Sequence, residues 1–409
     1  MSNIRALIIG GGIGGCAAAL ALRQIGCRVA VYEQVDAKTE IGAGIQISPN
    51  ASRLLQRYGL TRDIETASVV PTAVESRRWD DGRVLACEEL GEPVATTYGA
   101  PYYHIHRADL LNILSQQLAG DELHLGRRCV DIVDKGNVVV AKFEDGSAAE
   151  GDFLVGADGI HSRVGRYLFG DQRPSFSGNI AYRGLAPAER VAHLGLEVKS
   201  TNWMGPGGHF VHYFVSGGRY LNFVAVREQS DWVRESWTDH ADISEVHASY
   251  QGWHPQIHAI LDAVDEAFKW ALFDREPLAT WSKGRVTLLG DACHPMLPYM
   301  AQGAAQAIED GATLAACIRG ASAKTIESAI NLYETLRKPR TAQIQALARR
   351  NSSVFHLPDG PEQRERDARM AARRDQSKVS KGPSVRTMIF GHDSAQIGIG
   401  GQETASTPN

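Results

Sequence analysis

Gly10, Gly12 and Gly15 are spaced as G-x-G-x-x-G, and Glu33 follows 18 residues after the last of them. The glycines come directly after the apolar run Ile4 to Ile9, which suits a buried parallel strand. They come directly before Cys16 to Ile25, a run of good helix formers that stops at Gly26. That is the context a dinucleotide site needs. Gly10 permits a tight turn, Gly12 lets backbone approach a pyrophosphate, and Gly15 lets helix and strand pack closely. The helix N-terminus then offers unpaired N–H groups and partial positive charge to phosphates. Glu33 and Gln34 end the next expected strand, Arg28 to Tyr32. A carboxylate there accepts hydrogen bonds from ribose hydroxyls and repels a 2′-phosphate, which favours FAD or NAD over NADP. Spacing alone does not separate FAD from NAD. A glycine-rich turn of any α/β protein is the plain alternative; strand, helix and acid together count against it.

Other positions can also do chemistry. Asp158 is followed by Gly159, and Gly290-Asp291 ends the strand-like run that begins at Val286. Alone, the first reads as a simple turn and the second as a strand-end helix cap. His209 and Tyr213 lie in a β-like segment, where alternation puts residues 209, 211 and 213 on one face and turns His212 the other way. Alone, His209 reads as a satisfied sheet histidine. His294 reads as structural, because no partner ligands stand at metal spacing. The cysteines Cys16, Cys27, Cys87, Cys129, Cys293 and Cys317 form no C-x-x-C pair. Reduced thiols in a cytoplasmic protein without a metal are the simplest expectation.

Gly156-Ala157-Asp158-Gly159-Ile160-His161-Ser162 resembles the "DG" motif of the class A flavoprotein aromatic hydroxylases, and Gly290-Asp291-Ala292-Cys293-His294-Pro295 resembles their "GD" motif. Residues 296 to 310 continue the second resemblance, and His106-Arg107-Ala-Asp-Leu is similar to the segment whose arginine reaches the cofactor. The segments stand in family order, from about residue 4 to about residue 350. The resemblance implies FAD as cofactor, NADH or NADPH as co-substrate, and O2. It implies that Glu33 holds the adenosine ribose, Arg107 the phosphate region and Asp291 the ribityl chain. Asp158 and Gly159 would serve both FAD and the nicotinamide cofactor. Pro298 to Ala304, including Gly303, would line the flavin ring, with a helix N-terminus there favouring negative charge on it. Ile13, Gly14, Gln34 and Gly44 complete the cofactor-binding candidates. The reaction implied is ring hydroxylation of a small aromatic acid through a flavin C4a-hydroperoxide.

Within that family the chain resembles the group containing salicylate hydroxylase, 3-hydroxybenzoate 6-hydroxylase and 6-hydroxynicotinate 3-monooxygenase. His209 and Tyr213 match a histidine and a tyrosine that contact substrate in the last two. A phenolate attacks an electrophilic oxygen faster than a neutral phenol does. A histidine near its ordinary pKa of about 6.5 suits the removal of that proton. His209 is accordingly expected to be the base or its relay, and Tyr213 to orient the substrate. Gln46 and Tyr299 stand where the hydroxynicotinate enzyme has histidines, which weakens that assignment. Both remain candidates for binding a carboxylate or hydroxyl. The Gly-Pro-Gly turn before His209 favours a hydroxybenzoate, salicylate ahead of 3-hydroxybenzoate. A flavin oxidase or dehydrogenase without oxygen insertion is the second reading. A binding scaffold, as in inhibitors of small GTPase cycling, is the third, and the intact set Gly12, Glu33, Asp158 and Asp291 counts against it.

The elements that must position these residues follow from pattern. An α/β fold is expected, with a Rossmann-like FAD-binding domain (1–70, 101–175, 275–350) interleaved with a β-rich substrate domain (71–100, 176–274). A C-terminal helix (351–382) and a flexible tail (383–409) complete it. Turns are expected at Asp80-Asp81-Gly82, Gly91-Glu92-Pro93, Glu144-Asp145-Gly146 and Gly205 to Gly208. Helices are expected over Asp242 to Phe268, from Gln302, over Lys324 to Arg350 and over Glu362 to Ser377. The last is arginine-rich, which fits a solvated face or support for a homodimer. With 409 residues, 43% of them hydrophobic, a large core is available, and a net charge of −4 gives no reason to expect nucleic acid or an anionic membrane. Neither a signal peptide nor a transmembrane helix is expected.

Overall fold

The computed structural model describes residues 4–36, 43–171, 173–229, 239–374 and 382–396. The expected strand–helix–strand unit forms at Arg5–Ile9, Ile13–Gln24 and Arg28–Tyr32. Each strand exposes only its first residue, as parallel strands covered on both faces must. Arg5–Ile9 is central in a six-stranded sheet. Phe153–Gly156 and Val286–Leu288 lie on one side of it and Arg28–Tyr32 on the other. These pairings are parallel, so the strands deliver Gly10, Ala157 and Leu289 to the same edge.

Two close approaches explain the glycines. Gly10 has φ +108°, and a Cβ there would lie 2.3 Å from the Ala157 carbonyl oxygen. At Gly15 a Cβ would lie 1.9 Å from the Gly10 carbonyl oxygen, so only glycine lets the helix seat on the strand. The helix Gly303–Ile318 packs on Ile13–Gln24 where Gly311 leaves no room for a side chain: its Cβ would be 2.8 Å from Ala18 Cα.

The second layer is an eight-stranded sheet. Its order is Asp239–Ala241, Ala267–Asp274, Ser175–Pro187, Tyr220–Glu228, Gly208–Val215, Ser200–Gly205, Ala73–Arg78 and Val84–Glu89. All neighbours are antiparallel except Ser200–Gly205 beside Ala73–Arg78. Trp203, Phe210, Phe223 and Tyr250 fill the core beneath it. The fold is α/β: a Rossmann-like layer interleaved with a β-rich layer and followed by C-terminal helices.

Three expectations are corrected. Gly91–Tyr98 is a helix rather than a turn, because Pro93 falls in its first turn, where a missing N–H costs no helical hydrogen bond. Asp242 to Phe268 is two short helices, Ile243–Ser249 and Pro255–Leu261, before the strand at Ala267. Gly252 at φ +83° and the extended residue before Pro255 interrupt them. Within the segment expected as a flexible tail, Val385–Phe390 is helical. Ile389 is buried there, and the Phe390 ring packs 5.6 Å from Tyr98 and 5.7 Å from Tyr102. Arg57 pairs with Asp393 in the same region. Residues 397–409 lie outside the described residues. The arginine-rich helix spans Pro361–Arg374, and Arg366 in it is buried against Asp367 rather than solvated. Among the described residues no helix is long and apolar enough to cross a membrane.

Candidate active site

A cavity of about 810 Å³ lies between the two sheets. That is the upper part of the range of small-molecule sites. Gly10, Gly12, Ile13 and Gly14 form one end of its wall, beside Glu33 and Gln34. Pro298, Gly303 and Ala304 form another part, and Arg107, Asp158, Gly159 and Asp291 line the space between. Neither Ile13–Gln24 nor Gly303–Ile318 has a side-chain cap at its N-terminus. Two helix ends with unsatisfied N–H groups therefore meet one cavity, which suits an anionic group at each. A Cβ at Gly12 or at Gly303 would point into open space, so ligand can approach the backbone there. These features fit a flavin dinucleotide.

The acids around the cavity behave differently. Glu33 accepts hydrogen bonds from the N–H groups of Gly11 (2.7 Å) and Val35 (3.0 Å), which fixes its carboxylate at the strand end. Asp158 accepts from the Ser162 hydroxyl (2.5 Å) and from the N–H groups of Arg163 (2.7 Å) and Val164 (3.1 Å). Its carboxylate caps the helix Arg163–Phe169 and so shapes the turn at Gly159, φ +77°. Burial raises its carboxyl above the usual range. Asp291 lines the cavity, and desolvation raises its carboxyl as well. Gly15 lies beneath the cavity wall rather than on it.

The opposite wall comes from the eight-stranded sheet. His209, Val211 and Tyr213 line it together, as alternation requires, and His212 does not reach it. Gly44 passes so close to Tyr213 that a Cβ would sit 2.8 Å from the ring, and its N–H donates to Asn222 Oδ1 at 2.7 Å. Gln46 lines the cavity, but its amide is engaged: Tyr102 donates to Oε1 at 2.5 Å, and Nε2 donates to Ser200 at 3.2 Å. Tyr299 stands behind the wall, its ring edge-on to His209 at 5.1 Å. The expectation of an ordinary histidine at 209 is corrected: burial pushes its pKa well below the usual value, and His356 adds to the shift. His209 Nδ1 lies 2.8 Å from His356 Nε2.

Three ring or charged residues at this site were not legible in the sequence. Arg183, from Ser175–Pro187, lines the cavity with its guanidinium over the Trp270 ring at 4.1 Å. Its Nε has no hydrogen-bond partner, and no carboxylate pairs with it among the described residues. Burial lowers its pKa to about 10, with Arg107 adding to the shift. Its signal was a lone arginine on the Ala181 face of an apolar run, where alternation aims it inward. His104 packs on Tyr213 at 4.4 Å, opposite Gln46 in register, and burial alone lowers it to about 3. His356, at the end of the helix Ile326–Phe355, carried no sequence signal.

Comparison with known proteins agrees with the cradle. Residues 3–348 match the family described as FAD binding domain. A 3-amino-4-hydroxybenzoate 2-monooxygenase of Streptomyces platensis is 42% identical, covering 90% of this chain and 92% of its own. A 6-hydroxynicotinate 3-monooxygenase of Pseudomonas fluorescens is 38% identical over 85% of this chain and 91% of its own. The structure of HpxO of Klebsiella pneumoniae with FAD and uric acid aligns with TM-score 0.81 at 28% identity, covering 90% and 93% of the two chains. This chain belongs to the class A FAD-dependent aromatic hydroxylases of that family. It is a flavoprotein monooxygenase with FAD as its cofactor.

Proposed function

We propose that the protein hydroxylates a hydroxybenzoate-type acid, with Arg183 binding the carboxylate, His209 taking the phenolic proton and Tyr213 orienting the ring. NADH or NADPH is the reductant, and the atoms balance as ring C–H, O2, NAD(P)H and a proton giving ring C–OH, water and NAD(P)+. FAD, when bound and reduced, supplies the electrophilic oxygen. Glu33 holds its adenosine ribose, Arg107 its phosphates and Asp291 its ribityl chain. The observation that carries the substrate class is the partly buried Arg183 on the same wall as His209 and Tyr213, its Nε enclosed without a hydrogen-bond partner and no carboxylate pairing with it among the described residues. A buried cation demands an anionic partner. By sheet register Arg183 stands beside Val224, which stands beside Val211, one alternation along from His209. Sheet spacings of about 4.8 Å and 3.4 Å put the two Cα atoms roughly 12 Å apart, so the side chains bracket one substituted ring. The 42% identity to an enzyme named for 3-amino-4-hydroxybenzoate makes that acid the first to try.

The test is coenzyme oxidation by the yellow protein with 3-amino-4-hydroxybenzoate, salicylate, 3-hydroxybenzoate, 4-hydroxybenzoate and 6-hydroxynicotinate under ¹⁸O2. One acid should accelerate oxidation sharply and gain one labelled oxygen. Stimulated oxidation that sends the label to hydrogen peroxide and none to an aromatic product refutes hydroxylation in favour of an oxidase. Arg183→Gln should raise KM for the accepted acid about 10- to 100-fold, because hydrogen bonds to charged groups contribute about 1.5–3 kcal/mol. The same variant should bind the corresponding decarboxylated phenol as wild type does. Equal losses for both ligands contradict the carboxylate role.

A further inference from the structure

Resting on that reading of the site, we propose that His209, His356 and Glu228 form a proton relay that moves the phenolic proton from the cavity to solvent. His356 and Glu228 are positioning residues that act through His209. The groups stand in line: His209 Nδ1 lies 2.8 Å from His356 Nε2, and Glu228 Oε1 lies 3.4 Å from His356 Nδ1, an ion-pair approach outside hydrogen-bond geometry. Its ends differ in access. The His356 side chain is 1% exposed, whereas that of Glu228 is 58% exposed.

The backbone holds the line in place. Glu228 ends the strand Tyr220–Glu228, and its N–H donates to the Gly207 carbonyl at 2.9 Å. The Gly207 N–H in turn donates to the His356 carbonyl at 3.1 Å, tying the helix end to the hairpin turn. Arg366 donates to the Val354 carbonyl at 2.8 Å from the next helix. The rings of Tyr299 and Phe355, 5.1 Å and 5.3 Å from His209, keep the inner end dry. Arg227 is the cation acting on His356, and its guanidinium is held by the Pro206 carbonyl at 2.6 Å.

Tautomers follow from the chemistry of the partners. The Glu228 carboxylate, 3.4 Å from His356 Nδ1, only accepts and so favours the tautomer with the proton on Nδ1 and a bare Nε2. His209 must then donate from Nδ1, which leaves its Nε2 as the lone pair available to the cavity. A buried imidazolium is unfavourable at both positions: His209 is pushed well below its usual pKa and His356 down to about 4. His209 would therefore be a poor base if it had to keep the proton. The relay removes that cost. The phenol O–H breaks as His209 Nε2–H forms. His209 Nδ1–H breaks as His356 Nε2–H forms. His356 Nδ1–H breaks, and the proton passes to the Glu228 carboxylate or to water beside it. No charge stays in the buried pair.

The experiment mixes oxidised holoenzyme with 3-amino-4-hydroxybenzoate in weak buffer near pH 7.5, following flavin absorbance for binding and a pH indicator for proton release. Wild type should release close to one proton per acid bound. His356→Gln, which keeps the volume and a hydrogen bond to His209 but cannot pass a proton, should bind the acid within about threefold and release the proton at least tenfold more slowly. His356→Ala should show the same defect and recover on addition of imidazole. Release at the wild-type rate in yellow His356→Gln overturns the relay. Failure of imidazole to restore release in His356→Ala assigns His356 a packing role and also overturns it. If the acid leaves wild-type flavin absorbance unchanged, the substrate reading fails first and the relay falls with it.

Discussion

His209→Ala should slow hydroxylation about 10²- to 10⁴-fold, the range that a positioned general base contributes, while FAD affinity stays within about twofold of wild type. The separation of the two effects follows from geometry. His209 lies on the sheet wall of the cavity, whereas the glycine turn, Glu33 and the two uncapped helix ends belong to the opposite layer. Its neighbours are His356, Tyr299 and Phe355, none of which lines the cavity. Single-turnover product formation in the reduced holoenzyme exposed to O2 and substrate isolates the step, and fluorescence titration of apoprotein isolates the cofactor. The loss should shrink for an acid whose phenol is already ionised at the assay pH, because that substrate brings no proton to remove. A His209→Ala enzyme that hydroxylates at the wild-type rate removes the base assignment. One that loses FAD instead makes His209 a fold residue.

The cofactor half of this site was legible because its signals are local. Gly10, Gly12 and Gly15 show their spacing within six residues, although the contact that excludes a side chain at Gly10 comes from Ala157, and Glu33 is fixed by the length of one helix and one strand. The face shared by residues 209, 211 and 213 follows from alternation alone. The remainder depends on contacts far apart in sequence. Arg183 shares a strand face with Ala181, but only the sheet places Val224 and Val211 beside it. His356 meets His209 across 147 residues. The pKa of His209 was misjudged for the same reason: spacing shows that a histidine faces a pocket, not how dry its surroundings are. The helix at Val385–Phe390 escaped notice because the Gly- and Ser-rich flanks conceal four apolar residues, of which Phe390 meets Tyr98 and Tyr102.

Arg337→Met should destabilise the fold by about 3–5 kcal/mol, the usual consequence of removing one partner from a buried ionic cluster. Arg337 is fully buried and donates to Asp310 Oδ1 (2.6 Å), Glu309 Oε2 (2.5 Å) and Gln306 Oε1 (2.7 Å). Both carboxylates are also fully buried, so the variant leaves two acids with too little countercharge. Arg340 still pairs with Glu309, and His294 still lies 2.6 Å from Asp310 Oδ2, which limits the damage. The cluster also reaches the site. Asp310 accepts from the Gly290 N–H at 2.9 Å, next to Asp291, and Glu309 binds Asn50, which also donates to Gln302 at the helix start. Weaker FAD binding should therefore accompany the lower stability.

The pH dependence of that variant has a defined sign. In wild type the arginines hold Glu309 below its ordinary pKa, and His294 with Arg337 does so for Asp310. Depressed acids stabilise the fold above their unfolded values near 4, and that contribution is lost as pH falls. Without Arg337 less countercharge opposes burial at both acids, so their depression weakens and acidification costs the variant less than it costs wild type. The gap between the two should be widest at pH 7 and narrow toward pH 4.5. Unfolding heats for a chain this long convert the gap at pH 7 to roughly 4–6 °C in Tm. A Tm difference that stays constant or widens on acidification means that Arg337 contributes packing rather than charge, and the anchoring of the Gly290–Asp291 turn through Asp310 must then rest on His294 alone.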